Sequence, residues 1–121
     1  MSAWVWVGVA VLGALASLAR AAVGGAIQAG ARTARPVGTL VVNLSGTFAA
    51  GVLAGVVLSG DAGVLAGAAT LGSYTTFSTW VQDSGRLHEE GDDSGAALNL
   101  AVSLLIGVAA VAAGHALGAA F

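Results

Sequence analysis

The sequence predicts an all-α integral membrane protein in which four transmembrane helices form a single domain over residues 1–121, and three observations carry that expectation. Charge is scarce: 8% of the residues are charged and 57% hydrophobic, with a mean hydropathy of +0.90, where soluble domains average roughly a quarter charged. A chain so poor in charge cannot cover a water-facing surface, whereas a bilayer leaves Leu, Val and Ala exposed at no cost. The charged side chains also fall in clusters, and the stretches between them are each near the roughly 20 residues that cross a bilayer. Finally, 19 glycines and an abundance of alanine suit helices whose backbones approach closely in lipid. The expected location is the cell membrane, in a multi-pass arrangement.

The first span covers about residues 4–27. Met1-Ser2-Ala3 lacks the positive region that opens a secretory signal peptide, and three further spans follow, so this stretch reads as a retained helix. Trp4 and Trp6 stand where aromatic side chains anchor a helix at the membrane interface. Arg20, near the far end, is long enough to snorkel to the headgroups.

The second span covers about residues 37–59. Thr39, Asn43 and Thr47 recur at intervals of four and share one face. An isolated hydroxyl commonly bonds its own i−4 carbonyl. The Asn43 amide has no such outlet and must find a partner across a helix interface or line a cavity.

The third span, about residues 64–85, is the unusual one. Thr70-Leu71-Gly72-Ser73-Tyr74-Thr75-Thr76-Phe77-Ser78-Thr79-Trp80 puts glycine and a run of hydroxyl side chains at bilayer depth. Such a run weakens helical order, and non-helical backbone survives at that depth only inside protein or beside a wet cavity. A break in the helix is expected near residues 72–75. The fourth span, about residues 96–119, carries a second stripe of Asn99, Ser103 and Gly107. For Asn99 a structural bond between helices and a place on a polar pathway both stand.

Several functional classes fall away. There is no Cys and hence no disulfide framework, thiolate metal site or cysteine nucleophile. A net charge of −2 without a basic run gives nucleic acid no foothold. No Asp or Glu lies well inside a span, Asp83 being close to an end, so a proton-coupled exporter lacks its buried carboxylate. His115 reads as an interfacial or packing residue and His88 as solvated, neither with partners at metal-ligand spacing. No motif gathers Ser, His and Asp into a triad, and an enzyme is not expected.

Taken together, Arg35-Pro36-Val37-Gly38-Thr39-Leu40, Val42-Asn43-Leu44-Ser45-Gly46-Thr47-Phe48 and Thr75-Thr76-Phe77-Ser78-Thr79 resemble the Fluc (CrcB) fluoride channel family, as does the small-residue run from Gly13 closed by Arg20. The resemblance follows the whole chain in order and spacing. It implies passive, selective export of fluoride from the cytoplasm, relieving fluoride toxicity, through narrow pores along the interface of an inverted (antiparallel) dimer. It further implies a fluoride pathway over Arg20, Asn43, Thr76, Phe77, Ser78, Trp80 and Ser103, and a central structural sodium ion held by the backbone carbonyls of Gly72 and Thr75. The family usually has a second phenylalanine where this chain has Trp80, and a tyrosine and a further hydroxyl where it has Asn99 and Gly107. A small-molecule exporter and an accessory subunit with a degraded pore are the competing readings.

Orientation bears on the partner. The two loops that share a side carry Arg32, Arg35 and Arg86, while the opposite side carries no arginine. Positive charge stays cytoplasmic, which puts both termini outside. A homodimer of inverted subunits needs a chain that inserts both ways, so this bias makes an oppositely oriented related subunit the alternative to a second copy. Fluoride and membrane lipid are the other expected partners.

Overall fold

The computed structural model describes residues 2–56 and 60–121, the side chain of Ser78 excepted. Among the described residues five helical elements follow one another: α1 (Ala3–Gly30), α2 (Val37–Val56), α3 (residues 60–74), α4 (Ser78–Glu89) and α5 (Asp93–Ala119). Three of them, α1, α2 and α5, are long and apolar enough to cross a membrane, and α3 with α4 make up the broken third span. The end of the expected second span, residues 57–59, lies outside the described residues.

The helix ends have local causes. Ser2 accepts a hydrogen bond from Val5 N–H and starts α1. Arg35 and the buried Pro36 precede α2, where the missing proline N–H costs nothing. Asp92 accepts from Gly95 N–H at 2.9 Å and starts α5. Beyond Gly85 the falling hydropathy suggests a loop, yet α4 continues to Glu89. Leu87, 1% exposed, anchors that last turn, and Arg86 bridges to Glu90 one turn on.

α3 is not uniform. A turn of α-helix at Gly60–Gly63 leads into a π-helix over Val64–Leu71, then a last α-turn at Gly72–Tyr74. The Thr70 hydroxyl donates to Leu65 O at 2.8 Å, and Gly72 N–H reaches Gly67 O, both five residues back. Gly72 is therefore still helical; the chain leaves the helix at Thr75, whose φ of −76° and ψ of 156° are extended. The break occupies residues 75–77, at the downstream edge of the expected stretch.

Glycine decides how the helices meet. A Cβ at Gly114 would overlap the Phe48 carbonyl oxygen, one at Gly118 that of Val52, and ones at Gly51 and Gly55 those of Val111 and His115. Paired positions rise together along both helices, so α2 and α5 run parallel with touching backbones. Gly24 and Gly38 bring α1 against α2 in the same way. Apolar side chains face outward instead: Trp4 is 82% exposed and Leu105 70%, as a lipid-facing surface requires.

The loops before α2 and after α4 lie at one end. Arg35 forms a two-pronged ion pair with Asp92, both contacts 3.2 Å, and Arg86 donates to Ala34 O at 3.0 Å. The Arg35 guanidinium first, and Gly95 N–H second, hold the Asp92 carboxyl below its ordinary value. A lowered folded-state pKa contributes stability that is present above the ordinary value of 3.8 and is lost as pH falls through the folded value. Asp92→Asn should therefore lower the thermal midpoint slightly at pH 7. The gap to the parent chain should close in acid, measured by thermal denaturation across that range.

Candidate ion pathway

Two cavities flank the break, and Thr76 lines both. On the loop side is a vestibule of about 520 Å³ lined by Arg20, Gln28, Thr39, Thr79, Asp83 and Arg86, among others. On the other side a groove of about 400 Å³ runs between α2, the break and α5, past Asn43, Thr47, Phe77, Trp80, Ser103 and Gly107.

The break is held by α2. The Asn43 side chain donates to Thr76 O and accepts from Thr76 N–H, both at 2.8 Å, replacing the helical bonds that the extended backbone gives up. Thr76 then starts the next helix, its hydroxyl accepting from Thr79 N–H at 3.2 Å and donating to Thr79 Oγ1 at 3.1 Å. Gly46 makes the approach possible: a Cβ there would run into the Thr75 methyl and the Tyr74 ring. Tyr74 in turn meets Ser45 Oγ at 3.1 Å. Asn43 keeps one N–H and part of its oxygen for the groove it lines.

Phe77 is 72% exposed and touches Trp80 edge to face, with ring centroids 5.5 Å apart and planes at 67°. Trp80 does not offer its N–H to the groove, because that group donates to Asn99 O at 3.1 Å. Asn99 likewise turns to α4, donating to Ser84 Oγ at 2.8 Å. Of the two readings open for Asn99, the geometry favours the structural one. Ser103 and Gly107 remain on the groove. The side chain of Ser78 lies outside the described part.

In the vestibule Arg20 has no salt-bridge partner among the described residues, while Thr39 donates to Asp83 at 2.9 Å. Gln28 organises the loop above. Its amide donates to Thr33 O at 3.2 Å and Arg35 O at 2.9 Å and accepts from Gly38 N–H at 2.9 Å. Sequence reading passed over Gln28, since a polar residue at a span's end looks like loop. It also had no signal for the Thr39 to Asp83 contact across 44 positions. His88 is exposed and meets Asp93 at 2.6 Å, and His115 is exposed near the end of α5. Among the described residues no three His, Cys, Asp or Glu side chains gather as a metal site.

The free carbonyls at the break are a different kind of donor. Thr76 N–H, which would close a turn on Gly72 O, goes to Asn43, and the extended Thr75 turns its own carbonyl out of the helical ladder. Backbone oxygens at the break, those of Gly72 and Thr75 among them, have no helical partner among the described contacts, and oxygen is the ligand that a hard cation takes.

The family model described as "CrcB-like protein, Camphor Resistance (CrcB)" matches residues 7–115. The "Fluoride-specific ion channel FluC 2" of Mycolicibacterium paratuberculosis is 48% identical over 111 residues, covering 92% of this chain and 91% of that protein. A protein of the same name in Haloarcula marismortui is 43% identical over 99 residues, 79% of this chain and 81% of its own. The "Fluoride-specific ion channel FluC 1" of Symbiobacterium thermophilum is 41% identical over 122 aligned positions, 95% of this chain and 96% of its own.

Proposed function

We propose, from the premise that this chain belongs to the CrcB family of multi-pass membrane proteins, that it conducts fluoride selectively and passively out of the cytoplasm. The observation that carries this reading is the Asn43-anchored break, which stands between a vestibule containing Arg20 and a groove rimmed by Phe77, with Thr76 lining both. Fluoride is small and strongly hydrated, so a path must replace its water with amide, hydroxyl and backbone donors and the positive edges of aromatic rings. Asn43, Thr76, Phe77 and Ser103, which all line the groove, supply those types, with Ser78 beside them in sequence. Trp80 contributes ring edge, and Arg20 gives positive charge at the entrance. Export follows from the membrane potential: an anion leaving a negative interior gains about 2.3 kcal/mol per 100 mV.

A sodium ion bound by the carbonyls of Gly72 and Thr75 belongs to the same proposal. Two oxygens are too few for such an ion, and an inverted partner presenting the same pair would double them. The partner is a second copy or an oppositely oriented relative. Arg32, Arg35 and Arg86 at one end favour a single orientation. When the chain is expressed alone, terminus labelling on the outer side of the membrane only would assign that place to an oppositely oriented relative. Equal labelling from both sides would point to the homodimer.

Reconstitution decides the function. Liposomes holding only this protein are expected to release fluoride and not chloride. Release of both, or of neither, would overturn the reading.

A further inference from the structure

One wall of the groove points at a titratable side chain. Leu104, Val108 and Val111 of α5 all line the groove, and His115 is the next position of the same series. Spaced by four, three and four residues, these positions fall within about 60° of arc on a helix of 3.6 residues per turn. His115 is exposed, roughly one turn and about 6 Å beyond Val111 toward the end of α5 that lies away from the arginine loops.

The seam with α2 leaves the ring on that side. The α5 positions pressed into α2 are Gly114 and Gly118, whereas His115 meets α2 through its backbone, with its N–H against Gly51 and its carbonyl against Gly55. Its ring forms no ion pair among the described residues. The elements packed on α5 bring no titratable group there: α2 has none from Val37 to Val56, and Asp83, Arg86, His88 and Glu89 of α4 lie toward the opposite end. Asp61, in the first turn of α3, and the carboxylate at Phe121 share the His115 end and do not pair with it.

Histidine is the side chain that changes charge between pH 5 and 8. Neutral, the ring offers one N–H and one acceptor; protonated, it offers two N–H donors and a positive charge, the form that draws an anion. We propose that His115 is an anion-recruiting residue at the far mouth of the groove, and that its protonation raises fluoride flux. The proposal rests on the channel reading above. In the orientation that the arginines favour, this is the outer mouth.

The test uses the full chain in liposomes, with fluoride efflux followed from pH 8 to pH 5.5 and the leak of protein-free liposomes subtracted. The parent flux should rise about threefold as pH falls, the size expected of one charge about 6 Å from the ion at a wet mouth. His115→Gln should stay flat at the alkaline level, and His115→Lys flat at the acid level. His88→Gln should titrate like the parent, because that ring meets Asp93 at the other end of the bundle, and the chain has no third histidine. A parent flux that does not rise in acid, or a rise that survives in His115→Gln, overturns the proposal. A second measurement needs no conduction: the two imidazoles are titrated by NMR in detergent, with and without fluoride, and assigned by the two glutamine variants. Fluoride should move the His115 midpoint to higher pH, since a nearby anion favours the charged form, and leave that of His88 in place. An unmoved His115 midpoint also overturns the proposal. If the parent chain passes no fluoride, it is the channel reading that fails, and the titration still judges whether His115 takes the anion.

Discussion

Replacing Gly114 with leucine is expected to leave no folded, monodisperse protein to purify. Even the first carbon of the new side chain would occupy the space of the Phe48 carbonyl oxygen and crowd Val52 N at 3.0 Å. These are backbone atoms of a helix, so no rotamer change relieves the clash and the two helices must separate. Separation breaks the same contact at Gly118, Gly51 and Gly55, because all four glycines serve one parallel seam. Overpacking a tight core costs about 1–3 kcal/mol when side chains can adjust, and here the obstruction is backbone. In lipid there is no compensating hydrophobic force to press the helices together again. Gly85→Ala makes the comparison: nothing lies within 4 Å of its Cβ position. That substitution should leave the thermal midpoint unchanged or raise it slightly, by up to about 1 kcal/mol of helix preference. Size-exclusion profiles in detergent and thermal denaturation of both variants check the contrast.

The membrane class and the helix count were legible because they rest on bulk properties. Scarce charge and spacing between charged clusters survive any detail of packing, and helices α1, α2 and α5 lie where those stretches lie. The break was legible from the hydroxyl run, though not its place. Gly72 looked like the weak point, but its φ and ψ are helical, and the interruption begins at Thr75 because Asn43 on another helix captures Thr76. That is a contact between positions 33 apart in the chain, and local propensity carries no record of it. The same holds for the helical turn at Leu87, which burial stabilises where hydropathy suggested loop. Asn99 was visible as a polar residue in apolar surroundings, and the resemblance marked both it and Trp80 as departures. That the two departures bind each other could be read only once α4 and α5 were side by side. The glycine seam was foreseen as a composition, and its four members became distinguishable from the other glycines only by what lies opposite them.

Asn43→Ala is expected to reduce fluoride flux by about a hundredfold while the protein still assembles. The substitution removes both 2.8 Å bonds to the Thr76 backbone, each worth about 1–1.5 kcal/mol net, and tenfold in rate goes with every 1.4 kcal/mol. Alanine leaves the Thr76 N–H and carbonyl without partners at a depth where water is scarce. The cheapest response is for Thr76 N–H to return to Gly72 O and for the helix to close across the break. Closure would carry Phe77 away from the groove and take up a carbonyl proposed for sodium, so one change would damage both the path and the cation site. Ser103→Ala should do much less, about a few-fold, since no hydrogen bond of that hydroxyl is among the described contacts and no backbone depends on it. Asn43→Asp separates geometry from charge. The carboxylate still accepts from Thr76 N–H, but it cannot donate to Thr76 O and it sets a negative charge beside an anion path. Its flux should be no higher than that of Asn43→Ala, and raising external sodium should restore neither. Liposome efflux of the three variants, with size exclusion confirming assembly, makes the comparison; parent-level flux in Asn43→Ala would remove this residue from the pathway.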